Sequence, residues 1–276
     1  MIKLKSIALL GTGHLGSALI RGFIKSGYPA TSITISNRNP DKSARLVKEL
    51  GVLSTQTNPQ ATEHSDVIIL AVKPQSMQDI CQEIGPTIQK KRPLVISLAG
   101  VIDIESIIHW LKNKDLLITR VMTNTPTEFC KGTSGLYANN LIPAEQKLWV
   151  ESLFNQVGYT FWVDHESMLD TLTAPIGCAP AYVFLFLEAL QNAAMDRGIS
   201  RDLAEKITLE SVLGAAELAK KSGRSFADLR AGVTTPHGVT DHSLQKLSFT
   251  DFFNIFKRIY AGAEERIIQI IKTLQL

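Results

Sequence analysis

At 276 residues the chain is about two domains long at typical sizes, and long enough to bury a sizeable core. Lys and Arg number 29 against 26 Asp and Glu, a net charge of +3 without a block of like charge, which gives little drive toward nucleic acid or an anionic membrane. The three cysteines, Cys81, Cys130 and Cys178, contain no C-x-x-C and the six histidines are scattered, so neither a disulfide framework nor a metal site is indicated.

Lys5 to Leu10 reads as a first strand, with Ile7, Ala8, Leu9 and Leu10 running into Gly11. Gly11-Thr12-Gly13-His14-Leu15-Gly16 then spells G-x-G-x-x-G, and Leu15, Ala18, Leu19, Gly22 and Phe23 follow at helical spacing. The motif therefore sits between a strand and a helix, the context a dinucleotide site requires. Gly11 would make the tight turn, Gly13 would admit a pyrophosphate to the backbone, and Gly16 would let helix pack on strand. The helix N-terminus would offer free N–H groups and the positive end of its dipole to the phosphates.

Ser32 to Ser36 fits the second strand and continues into Asn37, Arg38, Asn39 and Pro40. NAD sites place Asp or Glu at the end of this strand to hold the ribose hydroxyls. Here an arginine stands instead, which suits a 2′-phosphate and favours NADP(H), with NAD(H) the alternative. Further strand-like runs are Asp66–Val72, Pro93–Leu98 and Leu116–Val121, separated by helical periods at Lys42–Leu50, Gln75–Gln89 and Ile104–Leu111. That alternation predicts an α/β Rossmann domain, a doubly wound, mainly parallel sheet. Ala71-Val72-Lys73-Pro74 leaves the third of these strands at the sheet edge where ligands bind. A lysine there can neutralise phosphate or hold a substrate oxygen, or simply face solvent. Met122-Thr123-Asn124-Thr125-Pro126 places two hydroxyls and an amide at the same edge, an ordinary turn or a group suited to orienting a carboxamide or a substrate.

Near Val163 the strand signal stops, which divides the chain into 1–163 and 164–276. Pro180–Arg197 closed by Gly198, Asp202–Lys221 closed by Gly223, and Phe252–Ile271 read as helices. The stretch Tyr182–Met195 is apolar nearly all round and must be enclosed, by a second copy or by the first domain, and an all-α C-terminal domain that forms a homodimer is the expectation. The N-terminal apolar run is too short for a signal peptide, and Glu188 ends the densest apolar run, Val183–Leu187, well short of bilayer length. A soluble cytoplasmic protein without a membrane span is the expectation. Val233 to Thr240 (VTTPHGVT) leads into a helix from about Val239 to Leu247. Thr235 reads as its N-cap and Pro236 as its first-turn residue; from these residues alone that is an ordinary capped helix or an anion site suited to a carboxylate, with Thr240 adding a hydroxyl.

Together GTGHLGSAL, AVKP, MTNTP, the Pro180–Tyr182 PAY and TTPHGVT resemble the pyrroline-5-carboxylate reductase family in order and spacing over nearly the whole chain. The resemblance implies NAD(P)H-dependent reduction of 1-pyrroline-5-carboxylate to L-proline, the last step of proline synthesis. It also implies a helical domain that dimerises, dimers that often form a larger ring, and an active site between the domains. Carried over by residue, Gly11 to Gly16, Ser36, Asn37 and Arg38 match cofactor contacts, and Asn58 matches an asparagine near the adenosine half. Ala71, Val72, Lys73 and Pro74 match the strand exit beside the nicotinamide, with Asn124 at the same edge. Thr235, Pro236, His237, Gly238 and Val239 match the substrate cradle, and Thr240 the threonine that contacts the substrate; Thr240 and Lys73 are the catalytic candidates.

Three departures stand out. The family's usual Ser-Gly-Ser-Gly before Pro-Ala-Tyr is Ile176-Gly177-Cys178-Ala179 here, its glycine pair is His237-Gly238, and an asparagine usual near Gly232 is missing. They keep two alternatives open: a paralogous reductase of another cyclic imine or small acid, and a non-catalytic NADP-binding regulator.

Overall fold

Ile7–Leu10 is apolar throughout, as a strand buried on both faces must be, and forms β1 with all four residues buried. A computed structural model describes residues 4–247 and 249–274. After β1 come α1 (His14–Lys25), β2 (Ile33–Ser36), α2 (Pro40–Leu50), β3 (Leu53–Thr55), α3 (Asn58–Thr62), β4 (Val67–Leu70), α4 (Met77–Lys91), β5 (Leu94–Ser97), α5 (Ile104–Leu111), β6 (Leu117–Met122), β7 (Gly132–Ala138), α6 (Ala144–Asn155) and β8 (Gly158–Trp162). The strands form one sheet in the order β3-β2-β1-β4-β5-β6-β7-β8, parallel except where β7 runs antiparallel to β6.

Side-chain alternation along the central strands builds two cores, one on each face of the sheet. Ile7, Leu9, Val67, Ile69, Leu94 and Ile96 enter one cluster, while Ala8, Leu10, Ile68, Leu70 and Val95 enter the other. This is the doubly wound arrangement the sequence pattern predicts, and it places the reversal of strand order between β1 and β4. In such sheets the crevice beyond the carboxyl ends of those strands is the ligand site.

Five elements of this sheet domain escape the sequence pattern: β3, α3, β7, α6 and β8. In β7 the glycines have packing reasons. A Cβ on Gly135 would lie 2.8 Å from Leu172 Cδ1, and one on Gly132 would lie 2.3 Å from Thr127 Cγ2.

Beyond β8 lie α7 (Met168–Thr171), a π-helical turn (Thr173–Cys178), α8 (Ala179–Met195), α9 (Arg201–Ser222), α10 (Phe226–Gly232), α11 (Val239–Gln245) and α12 (Phe249–Leu274). Gly223 closes α9 in the left-handed conformation at φ +65°, as its position predicts. The expected N-cap at Thr235 is corrected: α11 starts at Val239 with Gly238 as its cap. His237 takes φ +60°, which cannot continue a helix, and its N–H donates to Asp241 Oδ2 at 2.9 Å.

The helical run Met168–Met195 is 28 residues long with a window mean hydropathy of 1.5, long and apolar enough by those measures to cross a membrane. That corrects the expectation that no segment approaches bilayer length: α7 and the π-helical turn lead straight into α8, so the helical run starts well before Pro180.

The chain divides into two compact units. One runs through Pro180 and resumes at Gly262; the other is Ala181–Ala261. In the first, the last turns of α12 lie on the sheet domain, with Ile267 buried and Ile270, Ile271 and Leu274 packed beside it. In the second, α8 leaves Phe184 and Leu185 about two-thirds exposed, at 63% and 66%, so the single chain does not enclose its most apolar helix. A contiguous face of this kind marks a partner surface.

Candidate dinucleotide site

At the carboxyl ends of β1, β2 and β4 is a cavity of about 420 Å³. The glycine turn supplies Gly11, Thr12 and Gly13; the exit of β2 supplies Ser36, Asn37, Arg38 and Asn39; the exit of β4 supplies Ala71, Val72 and Lys73. Asn58 from α3 and Lys42 from α2 complete the polar wall. The sequence candidates for cofactor contact are thus largely brought together. His14 and Leu15 begin α1, and these two, Gly16, Pro74 and Asn124 lie outside the cavity lining.

Each glycine of the turn has a separate reason. Gly11 adopts φ +97°, and a Cβ there would meet Ala71 O and Val72 Cγ1 at 2.7 Å. Gly16 approaches the turn so closely that a Cβ would sit 2.2 Å from Gly11 O. Gly13 is the opposite case: nothing lies within 4 Å of its Cβ position. That open space on the N-cap of α1 is where a pyrophosphate reaches the helix N-terminus. A dinucleotide phosphate therefore fits the residues present.

The electrostatics agree. Arg38, Lys42 and Lys73 line the cavity, and among the described residues no carboxylate does. Among the described residues neither the Arg38 guanidinium nor the Lys42 ammonium is engaged in a hydrogen bond or ion pair, so both are available to an anion. Lys42, Asn39, Ser76 and Ile80 are lining residues that sequence reasoning missed. For Lys42 the signal was its place in the first turn of α2, directly after the Arg38 loop.

Several candidates have side chains already committed. Asn37 Nδ2 donates to Thr12 Oγ1, and Asn37 Oδ1 accepts the Asn39 N–H at 2.8 Å. Asn58 Nδ2 donates to Glu83 Oε2 at 2.7 Å, which among the described residues leaves its carbonyl oxygen as an open acceptor. Asn124 donates to Ile176 O at 3.2 Å and accepts the Thr133 N–H at 3.0 Å. Its amide thereby ties the end of β6 to β7 and to the π-helical turn, with one N–H left over.

Nearby, Arg120 of β6 is buried, and its guanidinium meets Glu166 Oε1 at 2.9 Å and Asp170 Oδ1 at 3.0 Å. Glu166 Oε1 also accepts the Ile104 N–H at 2.7 Å, so one ion-pair cluster joins β6, α5 and the segment entering α7.

In the second unit, Thr235, Pro236, His237, Val239 and Thr240 are exposed and Gly238 is half-buried. The Gly238 N–H donates to Thr235 O at 2.9 Å, closing the turn that precedes α11.

A doubly wound sheet with a glycine turn, a basic β2 loop and a cationic β4 exit around one cavity defines a Rossmann-type, nucleotide-dependent oxidoreductase. Residues 166–270 match the family model for pyrroline-5-carboxylate reductase dimerisation, and residues 6–100 match the model for NADP oxidoreductases described as coenzyme F420-dependent. The chain is 34% identical to a pyrroline-5-carboxylate reductase of Pseudomonas aeruginosa over 97% of each chain. It is 36% identical to that of Pasteurella multocida over 97% of this chain and 98% of the other. Among solved structures, the Coxiella burnetii pyrroline-5-carboxylate reductase superposes with a TM-score of 0.87 at 34% identity, covering 97% of this chain and 98% of that one. The Plasmodium falciparum pyrroline carboxylate reductase, solved with NADP bound, gives 0.84 at 26% identity over 99% of each. The chain belongs to the pyrroline-5-carboxylate reductase family.

Proposed function

We propose that the protein reduces the C=N bond of 1-pyrroline-5-carboxylate to give L-proline, with NADPH as the preferred donor and NADH as the alternative. The observation that carries this reading is the cavity in which the glycine turn, Arg38, Lys42 and Lys73 converge without a carboxylate, in a chain of this family. When bound, the nicotinamide cofactor supplies a hydride to the imine carbon.

The chain's own residues do the rest. Gly13 and the first turn of α1 hold the pyrophosphate, Arg38 with Ser36 and Asn37 frames the 2′-phosphate end, and Asn58 offers its carbonyl oxygen to the adenosine half. Ala71, Val72 and Lys73, with Pro74 directing the chain away, flank the nicotinamide end. Thr240 holds the ring nitrogen by a hydrogen bond, which fixes the face presented for reduction and the proton required there. Lys73 contributes positive charge beside the reacting end. Thr235, Pro236, His237, Gly238 and Val239 cradle the carboxylate; the Gly238 N–H already serves the turn, so the cradle relies on its neighbours.

The division of labour proposed is a dinucleotide-binding domain over 1–163 and a helical dimerisation and substrate domain over 164–276. The start of the dimerisation match at 166 supports that division. A homodimer covers the exposed apolar face of α8, dimers assemble into a ring, and the enzyme works in the cytoplasm. The test is purified protein with NADPH and 1-pyrroline-5-carboxylate, with loss of reduced cofactor followed alongside proline formed. Saturable, stoichiometric loss is expected. NADPH that binds but is not consumed would overturn the reading.

A further inference from the structure

Asn37 sits between the two phosphate-reading parts of the cavity and touches both. Its Nδ2 donates to Thr12 Oγ1 in the glycine turn, where the Thr12 residue is fully buried. Its Oδ1 accepts the Asn39 N–H at 2.8 Å, and Asn39 Oδ1 in turn accepts the Lys42 N–H at 3.2 Å, capping α2. A continuous relay therefore runs from the glycine turn through Asn37 and Asn39 to the first turn of α2. Arg38 and Lys42, whose charged groups have no partner among the described residues, are both on the segment this relay holds and both line the cavity. The Asn37 amide can make few further bonds, since one N–H and the oxygen are already engaged.

We propose that Asn37 is a positioning residue for coenzyme choice, locking the Arg38–Lys42 segment to the glycine turn so that both cations address one 2′-phosphate. Lys42 is then the second cation of that subsite. The proposal rests on reading the cavity as a dinucleotide site. It explains how an exposed arginine and an exposed lysine can discriminate at all: two long side chains on an untethered loop would lose their advantage to rotamer and loop freedom.

The test is calorimetric binding of 2′,5′-ADP, which carries the 2′-phosphate, and 5′-AMP, which lacks it, to the natural protein and to N37A, T12V and the double variant. In the natural protein 2′,5′-ADP should bind about tenfold or more tighter, as expected for charge-assisted contacts. In N37A and in T12V its binding should weaken about tenfold while that of 5′-AMP changes less than about twofold, and the double variant should be no worse than the worse single one. K42M should lower the 2′,5′-ADP preference without altering 5′-AMP. Equal weakening of both nucleotides, no weakening of either, or additive effects of T12V and N37A would overturn the proposal. If N37A does not fold, T12V is read by the same criterion. A natural protein that binds neither nucleotide would overturn the reading of the cavity itself. One that prefers 2′,5′-ADP, with N37A and T12V unchanged, would overturn only the role of Asn37.

Discussion

Two glycines of one motif should fail in opposite ways when given a methyl group. In Gly16→Ala the new Cβ would lie 2.2 Å from Gly11 O and 3.2 Å from Ala71 Cβ, both parts of the rigid floor of the cavity. Relief requires α1 to move by about 1 Å, since neither neighbour is the tip of a flexible side chain. Overpacking of this kind costs about 1–3 kcal/mol, offset by up to about 1 kcal/mol of better helix propensity. The net expectation is a loss of about 1–2 kcal/mol. Because the N-terminus of α1 moves with it, NADPH binding should also weaken, by about tenfold or more. In Gly13→Ala nothing lies within 4 Å of the new Cβ and the backbone is already at φ −69°, so stability should change by less than about 1 kcal/mol. The methyl instead occupies the approach of the pyrophosphate, and NADPH affinity should fall by at least about tenfold. Urea unfolding midpoints and NADPH fluorescence titration read the two effects separately. A G16A protein as stable and as tight as the natural one, or a G13A protein that binds NADPH normally, would refute the steric reasoning.

Arg120→Met should lower the unfolding free energy, read from urea unfolding curves, by on the order of 2–3 kcal/mol, because Glu166 and Asp170 lose their common partner; the cost stays below that of a fully enclosed pair because each carboxylate side chain is about a quarter exposed, at 26% and 29%. Asp66 resists ionisation through partial burial, but hydrogen bonds from the Ser6 N–H and Oγ and the Lys91 ammonium outweigh this and hold its carboxyl below the usual carboxylate value. A group depressed on folding stabilises above its unfolded value near about 4 and loses that contribution as pH falls through the folded value. D66N should therefore be less stable than the natural protein at neutral pH, with the gap closing below about pH 4 in unfolding curves. Burial pushes the Cys81 thiol up to about 12, so alkylation of the native protein at pH near 8 should leave Cys81 unmodified until denaturant is added, as peptide mapping would show. Thr240→Val should reduce kcat/KM for the imine by about 10–100-fold while leaving the NADPH dissociation constant unchanged.

What was legible in the sequence was local. β1, the glycine turn and α1 are set by consecutive residues, as are the apolar central strands and the Gly223 helix end, and these place the dinucleotide cavity. The rest depends on partners distant in sequence. β7 carries two glycines, Gly132 and Gly135, where Thr127 and Leu172 leave no room for a Cβ, and those partners are distant in the strand pattern. Lys42 joins Arg38 at the cavity wall, on a segment whose hydrogen bonds run through the Asn37 and Asn39 side chains. Asn124 reads as a free polar group at a sheet edge, but Ile176 and Thr133, 52 and 9 residues away, claim its amide. Thr235-Pro236 has the composition of a helix start, and Asp241 overrides it by capturing the His237 N–H. The membrane-length helical run was missed because it begins at Met168, twelve residues before the expected helix start at Pro180.

The most direct test of the proposed chemistry follows the hydride itself. The protein is incubated with 1-pyrroline-5-carboxylate and NADPH deuterated at nicotinamide C4, first on one face and then on the other, and the proline is examined by mass spectrometry and NMR. Expected is L-proline carrying a single deuterium on its δ-carbon, from one of the two labelled cofactors only. Cofactor oxidation without proline, or proline unlabelled from both, would contradict direct transfer to the imine carbon.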